Sequence, residues 1–239
     1  MTLARDGMRE MLISTATLGA GGAVAAWAAV GGSPLWWALA IPLLALWIFT
    51  LAFFRDPHRD IPGGIGLLVA PADGRVTEVS RVESISGIEG PALRISIFLS
   101  VFDVHINRSP CAGRVVKTDY RKGEFLDARH PECGVRNEAM AVTLVPESNT
   151  PGPIIVTQIA GLIARRIICR VKPGNTLERG ERFGLIKFGS RTELVIPWHE
   201  GVKPAVQVGD KVKGGETVMV TIASGASVTK SRGAGVTVG

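Results

Sequence analysis

The pattern of apolar and polar positions changes character at one point in the chain. Between Met11 and Phe54 there is no Asp, Glu, Lys, Arg or His, whereas charge recurs regularly from Arg55 onward. The uncharged region has two blocks. Residues 11–30 are Ala/Gly-rich, and residues 35–54 (LWWALAIPLLALWIFTLAFF) are strongly hydrophobic. Each is about 20 residues long, enough for a helix to cross a hydrocarbon core of roughly 30 Å. Gly31-Gly32-Ser33-Pro34 between them is a turn signal, so the pattern predicts a helical hairpin over residues 1–54. A cleaved signal peptide would carry a shorter apolar core of about 7–15 residues.

Beyond the hairpin, Arg55-Asp56-Pro57-His58-Arg59-Asp60-Ile61-Pro62 is too rich in proline and charge to continue a helix. Short β-branched runs follow at 67–69, 75–82, 92–102, 104–107, 113–117, 140–145 and 154–159, separated by Gly, Pro and Asp. Turn signals about every 8–12 residues predict a mainly β, sandwich- or barrel-like domain over residues 55–223. Residues 159–171 fit a strand or a short helix equally well. Residues 173–182 and 208–217 share the form Gly-(Asn/Asp)-x-(Leu/Val)-x-x-Gly, the pattern of paired hairpins in small barrels of the lipoyl type. The second copy has no lysine in a Met-Lys-Met setting, which speaks against a swinging-arm carrier. Residues 224–239, rich in Gly, Ser, Val and Thr, read as a flexible tail.

Charge narrows the partners. A net charge of +6 and a pI near 9.6 suit nucleic acid or an anionic membrane surface. With no nucleic-acid-binding motif and a hydrophobic hairpin next door, the membrane is the better match. Arg5 and Arg9 before the hairpin, and Arg55, His58 and Arg59 after it, put both ends on the cytoplasmic face. Cys111, Cys133 and Cys169 lack metal-ligand spacing and read as reduced structural thiols; no metal is expected.

Four features could carry chemistry: Ser190 in Phe188-Gly189-Ser190, His105 in FLSVFDVHINRSP, Asp73 in PADG, and Arg165-Arg166 inside an apolar segment. Each alone has a bland reading as a turn, a packed histidine or a surface cation pair. A nucleophile–base–orienter set of Ser, His and Asp is conceivable, but there is no GxSxG elbow to support a hydrolase.

Taken in order, FFRDPHRDIP, PADGRV, FLSVFDVHINRSP, GEFLDA, RNE, QIAGLIARRIICRV and GERFGLIKFGSRTELVIP make the chain resemble a short-form phosphatidylserine decarboxylase, a pyruvoyl-dependent family. The resemblance spans roughly residues 53–222. It implies self-cleavage between Gly189 and Ser190, giving a large chain 1–189 and a small chain 190–239 that pair as a heterodimer, with a homodimer of that unit expected. It further implies that Ser190 becomes a covalent pyruvoyl cofactor, which holds the amine of membrane phosphatidylserine as a Schiff base while CO₂ leaves, yielding phosphatidylethanolamine. Asp73 would match the family's aspartate that orients the base, and His105 is assigned as the processing base. Longer relatives carry two histidines in this block; here Arg108 stands at the second, leaving the decarboxylation proton donor open among His105, His199 and water. Arg55, Arg165, Arg166 and His199 are candidate headgroup neighbours. An ether-linked archaeal seryl lipid is an alternative substrate. A non-catalytic membrane-anchored adaptor would account for the anchor and the hairpins but not for FGS, PADG or the histidine strand.

Overall fold

The computed structural model describes residues 2–147, 150–162, 166–187 and 189–223. Arg165 and the tail expected at 224–239 lie outside them.

Two apolar helices, Arg5–Gly31 and Pro34–Phe53, form the hairpin, and both are long and apolar enough to cross a membrane. Small residues let them approach closely: a Cβ on Gly22 would sit 2.8 Å from the Leu44 side chain. Within the first helix Thr15–Gly19 is π-helical. There the Thr15 and Thr17 hydroxyls donate to the carbonyls four residues back, and Trp47 Nε1 donates to Thr15 Oγ1 at 3.0 Å. Of the α-helical segment Trp37–Phe53 only Ala40 and Phe53 are buried, an arrangement suited to lipid contact and wrong for water. These features associate the protein with a membrane.

The first helix begins at Arg5, ahead of the apolar block, because its charged first turns dock on the β domain. Glu10 pairs with Lys187 at 2.6 Å, and Asp6 pairs with Arg170. Thr2–Leu3 pairs antiparallel with Arg55–Asp56, closing the base of the hairpin. Phe53 and Phe54 are buried there among Ala4, Met11, Val104, Ile106 and Leu185.

The β domain is built on one antiparallel sheet curled into a half-barrel. Its six long strands are β1 (Gly74–Val82), β2 (Ala92–Leu99), β3 (Gly113–Arg121), β4 (Ala139–Pro146), β5 (Ile154–Ala160) and β6 (Ser190–Pro197). They lie in the order β3-β4-β5-β6-β2-β1, with the short strands Thr176–Leu177 and Lys211–Val212 on the outer edges. Ile167–Cys169, Arg182–Ile186 and Ile106–Arg108 form a second sheet; Val202–Pro204, Val218–Ile222 and Leu67–Val69 form a third. The ambiguous segment 159–171 thus resolves, in its described part, to the end of β5 and a short strand. The core packs Leu68, Val76, Ile95, Ile97, Val115, Leu144, Val156, Phe183, Leu194 and Ile196 between these layers.

The Gly-Asn/Asp echo is half of a larger internal repeat. Pro71-Ala72-Asp73-Gly74-Arg75-Val76 opens β1 as Pro110-Cys111-Ala112-Gly113-Arg114-Val115 opens β3. The two copies clasp each other: Val69 N–H donates to Pro110 O and Arg108 N–H to Pro71 O, both at 2.9 Å. Each copy then takes one hairpin. Val76 N–H donates to Asp210 O and Val76 O accepts from Gly209 N–H, while Val115 N–H donates to Asn175 O and Val115 O accepts from Gly174 N–H. Gly174 and Gly209 hold φ of 97° and 99°, where a side chain would be strained.

Asp73 breaks the repeat, because its counterpart is Ala112. Its carboxylate accepts two bonds from Arg59 Nη2, at 2.9 and 2.7 Å, and one from Gly214 N–H at 2.8 Å. Burial holds this carboxyl above its ordinary pKa despite those donors. Asp73→Ala would leave the buried Arg59 cation with Glu216 alone, at 3.7 Å, and we expect a loss of about 2–3 kcal/mol. Denaturant melts of the variant in an uncleavable background check this; an unchanged midpoint refutes it.

Candidate active site

The site is organised by β6, which is buried along its whole length. A central strand covered on both faces need not alternate apolar with polar, and this one alternates two polar systems instead. Arg191 and Glu193 point one way. Arg191 meets Glu78 at 2.9 Å, Ser96 Oγ at 2.7 Å and Glu193 at 3.0 Å. Thr192 points the other way, into a network in which Asn107 Nδ2 donates to Thr192 Oγ1 at 3.0 Å. Gln158 Nε2 in turn donates to Asn107 Oδ1 at 2.8 Å.

Ser190 shares the Thr192 face, two residues away, and begins β6 just after Gly189. Ser190 is fully buried, and its Oγ has no hydrogen-bond partner among the described residues. Gly189 has φ +65°, a conformation few side chains adopt, which accounts for the glycine before the serine. The strands on either side of the junction, Arg182–Ile186 and β6, belong to different sheets. The chain therefore passes from one sheet to another between Ile186 and Ser190.

His105 sits against this junction. Gly189 N–H donates to His105 Nε2 at 3.1 Å, so Nε2 carries the lone pair. Nδ1 then carries the proton and donates to the Asp103 carbonyl at 3.0 Å. The Asp103 carboxylate closes the preceding turn by accepting from Ser100 N–H at 2.8 Å. The imidazole is 1% exposed and packs on Phe53 with ring centroids 4.5 Å apart. Burial pushes its pKa down to about 4, overriding the Asp103 contacts that raise it, and nearby Arg55 lowers it further. A neutral imidazole is the form a general base requires, and its Nε2 lone pair becomes available for a proton when it gives up the bond from Gly189 N–H.

The structure brings together only part of the expected set. Ser190, Gly189 and His105 converge. The group that orients His105 is the Asp103 carbonyl, while the carboxylate expected to do so, Asp73, is engaged by Arg59 and Gly214. Arg108, at the second-histidine position, is consumed by an ion pair with Asp56 at 3.0 Å and a bond to Gly180 O at 3.0 Å. His199 follows the far end of β6, separated from Ser190 by about 23 Å of extended strand. The Arg55 guanidinium bonds the Ala52 and Phe102 carbonyls, at 2.8 and 2.5 Å, and so fixes the hairpin's exit to the loop before His105. Arg166 lines a different cavity from the one at Gly189. Among the described residues no His/Cys/Asp/Glu cluster is placed to hold a metal.

Two contributors were missed at the level of sequence. Asp103 was visible two residues before the histidine. Gly161 gave no signal, yet a Cβ there would lie 2.4 Å from Gly189 O and 3.2 Å from Ala128 Cβ. The backbone of Gly161 is therefore packed against the carbonyl of the Gly189–Ser190 bond. Gly161→Ala must displace that carbonyl, and since an error of about 1 Å costs on the order of 100-fold, cleavage should slow by that factor. Timed gels of the newly made chain read it directly; wild-type rates would show that the carbonyl position is immaterial.

A cavity of about 360 Å³ opens at Gly189, lined by Phe98, Val101, Phe102, Ala128, Arg129 and Leu162 among others. Phe102 and Leu162 are exposed at 72% and 61%, and Phe102 meets Phe49 of the second helix edge-on at 5.9 Å. The cavity's mouth thus adjoins the membrane helices.

Comparison with known proteins agrees with this arrangement. The family model for phosphatidylserine decarboxylase matches residues 46–220. The phosphatidylserine decarboxylase proenzyme of Rhodopirellula baltica is 43% identical over 223 residues, covering 92% of this chain and 88% of its own. Those of Symbiobacterium thermophilum and Solibacter usitatus are 48% and 44% identical, over 77% and 84% of this chain and 83% and 89% of theirs. With the match spanning hairpin exit, histidine turn and Gly-Ser junction alike, the chain belongs to the phosphatidylserine decarboxylase family.

Proposed function

We propose that the protein is a membrane-bound proenzyme that cuts its own Gly189–Ser190 bond and then decarboxylates phosphatidylserine to phosphatidylethanolamine. The observation that carries this reading is the junction itself: a buried, unpartnered Ser190 hydroxyl beside a glycine whose amide touches a neutral histidine.

The chemistry follows from these groups. His105 Nε2 takes the Ser190 hydroxyl proton, and Oγ attacks the Gly189 carbonyl carbon. The Ser190 nitrogen leaves as an amine, converting the amide to an ester. Removal of the Ser190 α-proton expels the Gly189 carboxylate, and hydrolysis of the resulting enamine releases ammonia and leaves a pyruvoyl terminus on chain 190–239. An unpaired buried hydroxyl fits a residue consumed in this way. When present, the pyruvoyl ketone supplies the electron sink for loss of the substrate carboxylate. Around it, His105 holds or returns a proton at Nε2, and Phe98, Val101 and Leu162 give the cavity an apolar lining. The cavity mouth beside Phe102 admits the headgroup from the bilayer.

Cleavage need not separate the two products. Ser190–Val195 of β6 pairs with β5 on one side, and the whole strand pairs with β2 on the other, so the small chain stays threaded through the middle of the large one. Both hairpin ends carry arginine, which supports placing the β domain on the cytoplasmic face of the cell membrane.

Intact-mass measurement of purified protein should give two chains, the smaller starting at residue 190, lighter by one ammonia than its peptide and reducible by borohydride. An uncleaved protein active on phosphatidylserine would overturn the proposal. Supplying ester- and ether-linked seryl lipids side by side defines the substrate backbone.

A further inference from the structure

A second cavity, about 460 Å³, lies where the first turns of the Arg5–Gly31 helix meet the strand Ile167–Cys169 and Lys187. It shares no lining residue with the cavity at Gly189. Five cations converge there: Arg5, Arg9, Arg166, Arg170 and Lys187, against the two carboxylates Asp6 and Glu10. Those two acids are already committed, Asp6 to Arg170 and Glu10 Oε1 to the 8%-exposed Lys187 side chain at 2.6 Å. Arg5, Arg9 and Arg166 take part in no ion pair among the described residues. Arg5 and Arg9 lie one helical turn apart on one face, opposite Arg166. Glu10 Oε2 is buried without a hydrogen-bond partner, so the cavity also offers one acceptor in want of a donor.

We infer that this cavity binds the headgroup of an anionic glycerophospholipid: phosphate on Arg5, Arg9 and Arg166, and a headgroup hydroxyl or ammonium on Glu10 Oε2. Its depth matches. The cavity lies at the charged start of a helix whose uncharged stretch begins at Met11, the level at which phosphates sit relative to acyl chains. Arginine forks suit a phosphate's paired oxygens better than a point charge would. The site goes beyond the self-cleavage and decarboxylation reading and does not depend on it.

Phosphatidylglycerol is the probe, because it has phosphate and hydroxyl donors but no amine with which to enter the decarboxylation site. The full-length protein is extracted from bilayers of mixed phosphatidylglycerol and phosphatidylcholine, and retained lipids are counted by native mass spectrometry. The wild type should retain phosphatidylglycerol preferentially. Arg5→Gln with Arg166→Gln should cut that retention roughly ten- to thirtyfold, at about 1 kcal/mol for each cation near the surface. Lys117→Gln with Lys122→Gln, removing equal charge elsewhere, should leave it unchanged. Arg166→Gln alone, which leaves the charges flanking the helices intact, should fall between, with an unaltered melt. Equal retention by wild type and both arginine variants would overturn the site. Displacement of the lipid by millimolar inorganic phosphate would reassign it to a soluble phosphate and overturn the lipid assignment.

Discussion

Ser190→Ala should give a single uncut chain with no decarboxylase activity and a melting temperature at or above that of an equally uncut wild type. The loss of chemistry is complete, because the substitution removes the attacking oxygen and with it the precursor of the cofactor. Stability goes the other way. Ser190 Oγ is buried without a partner, so its removal relieves an unsatisfied group, worth up to about 1 kcal/mol. That pairing of total functional loss with no cost in folding distinguishes a consumed nucleophile from a structural serine. A Ser190→Ala chain that melts markedly lower would mean the hydroxyl has a structural partner after all.

His105→Gln should slow cleavage by about 10²–10⁴-fold, the usual contribution of a positioned general base. Glutamine can still accept from Gly189 N–H but cannot take the serine proton. The pH profile is the sharper reading. With its pKa near 4, His105 remains a free base across neutral and mildly acidic pH, so wild-type cleavage should stay flat from pH 8 to about 5 and fail only near 4. An ordinary histidine would break near 6.5. The same shift sets a stability slope. Below 6.5 the unfolded chain takes up a proton that the folded one refuses, so stability falls as pH drops from about 6.5 to 4, by roughly 3 kcal/mol in all. The His105→Gln protein should lack that slope. A wild-type profile breaking near 6.5 would show that the buried imidazole does not act as the base.

Much of the architecture was legible along the chain because local signals and tertiary structure agreed. The absence of charge from Met11 to Phe54 gave the hairpin, and glycine-punctuated β-branched runs gave the sheet. The glycine echo at 173–182 and 208–217 pointed to the paired hairpins. Ser190, Gly189 and His105 were expected from a run of motifs, and in the structure Gly189 N–H, next to Ser190, donates to His105 Nε2. What could not be read were groups whose role depends on backbone position. The Asp103 carbonyl acts through an atom every residue has, and Gly161 acts through the side chain it lacks. Asp73 was read as the orienter of His105 from motif order alone, whereas its Arg59 partner comes from the proline-rich juncture whose path through space has no periodic signature. His199 was a candidate by residue type alone, and its distance along β6 from Ser190 has no signature in the sequence.

The packing of Phe53 on His105 makes the anchor part of the acid–base chemistry. The ring that ends the second helix is one wall of the low-dielectric pocket that keeps the imidazole neutral. A soluble form trimmed before residue 55 would lose Phe53 and Phe54 together and admit water to that face of the histidine. Its imidazole would drift back up toward the pKa of a free side chain, and Gly189 would face a base protonated over more of the working pH range. Such a trimmed protein would be a different catalyst, and the bilayer segment is better regarded as a removable wall of the reaction chamber than as a leash.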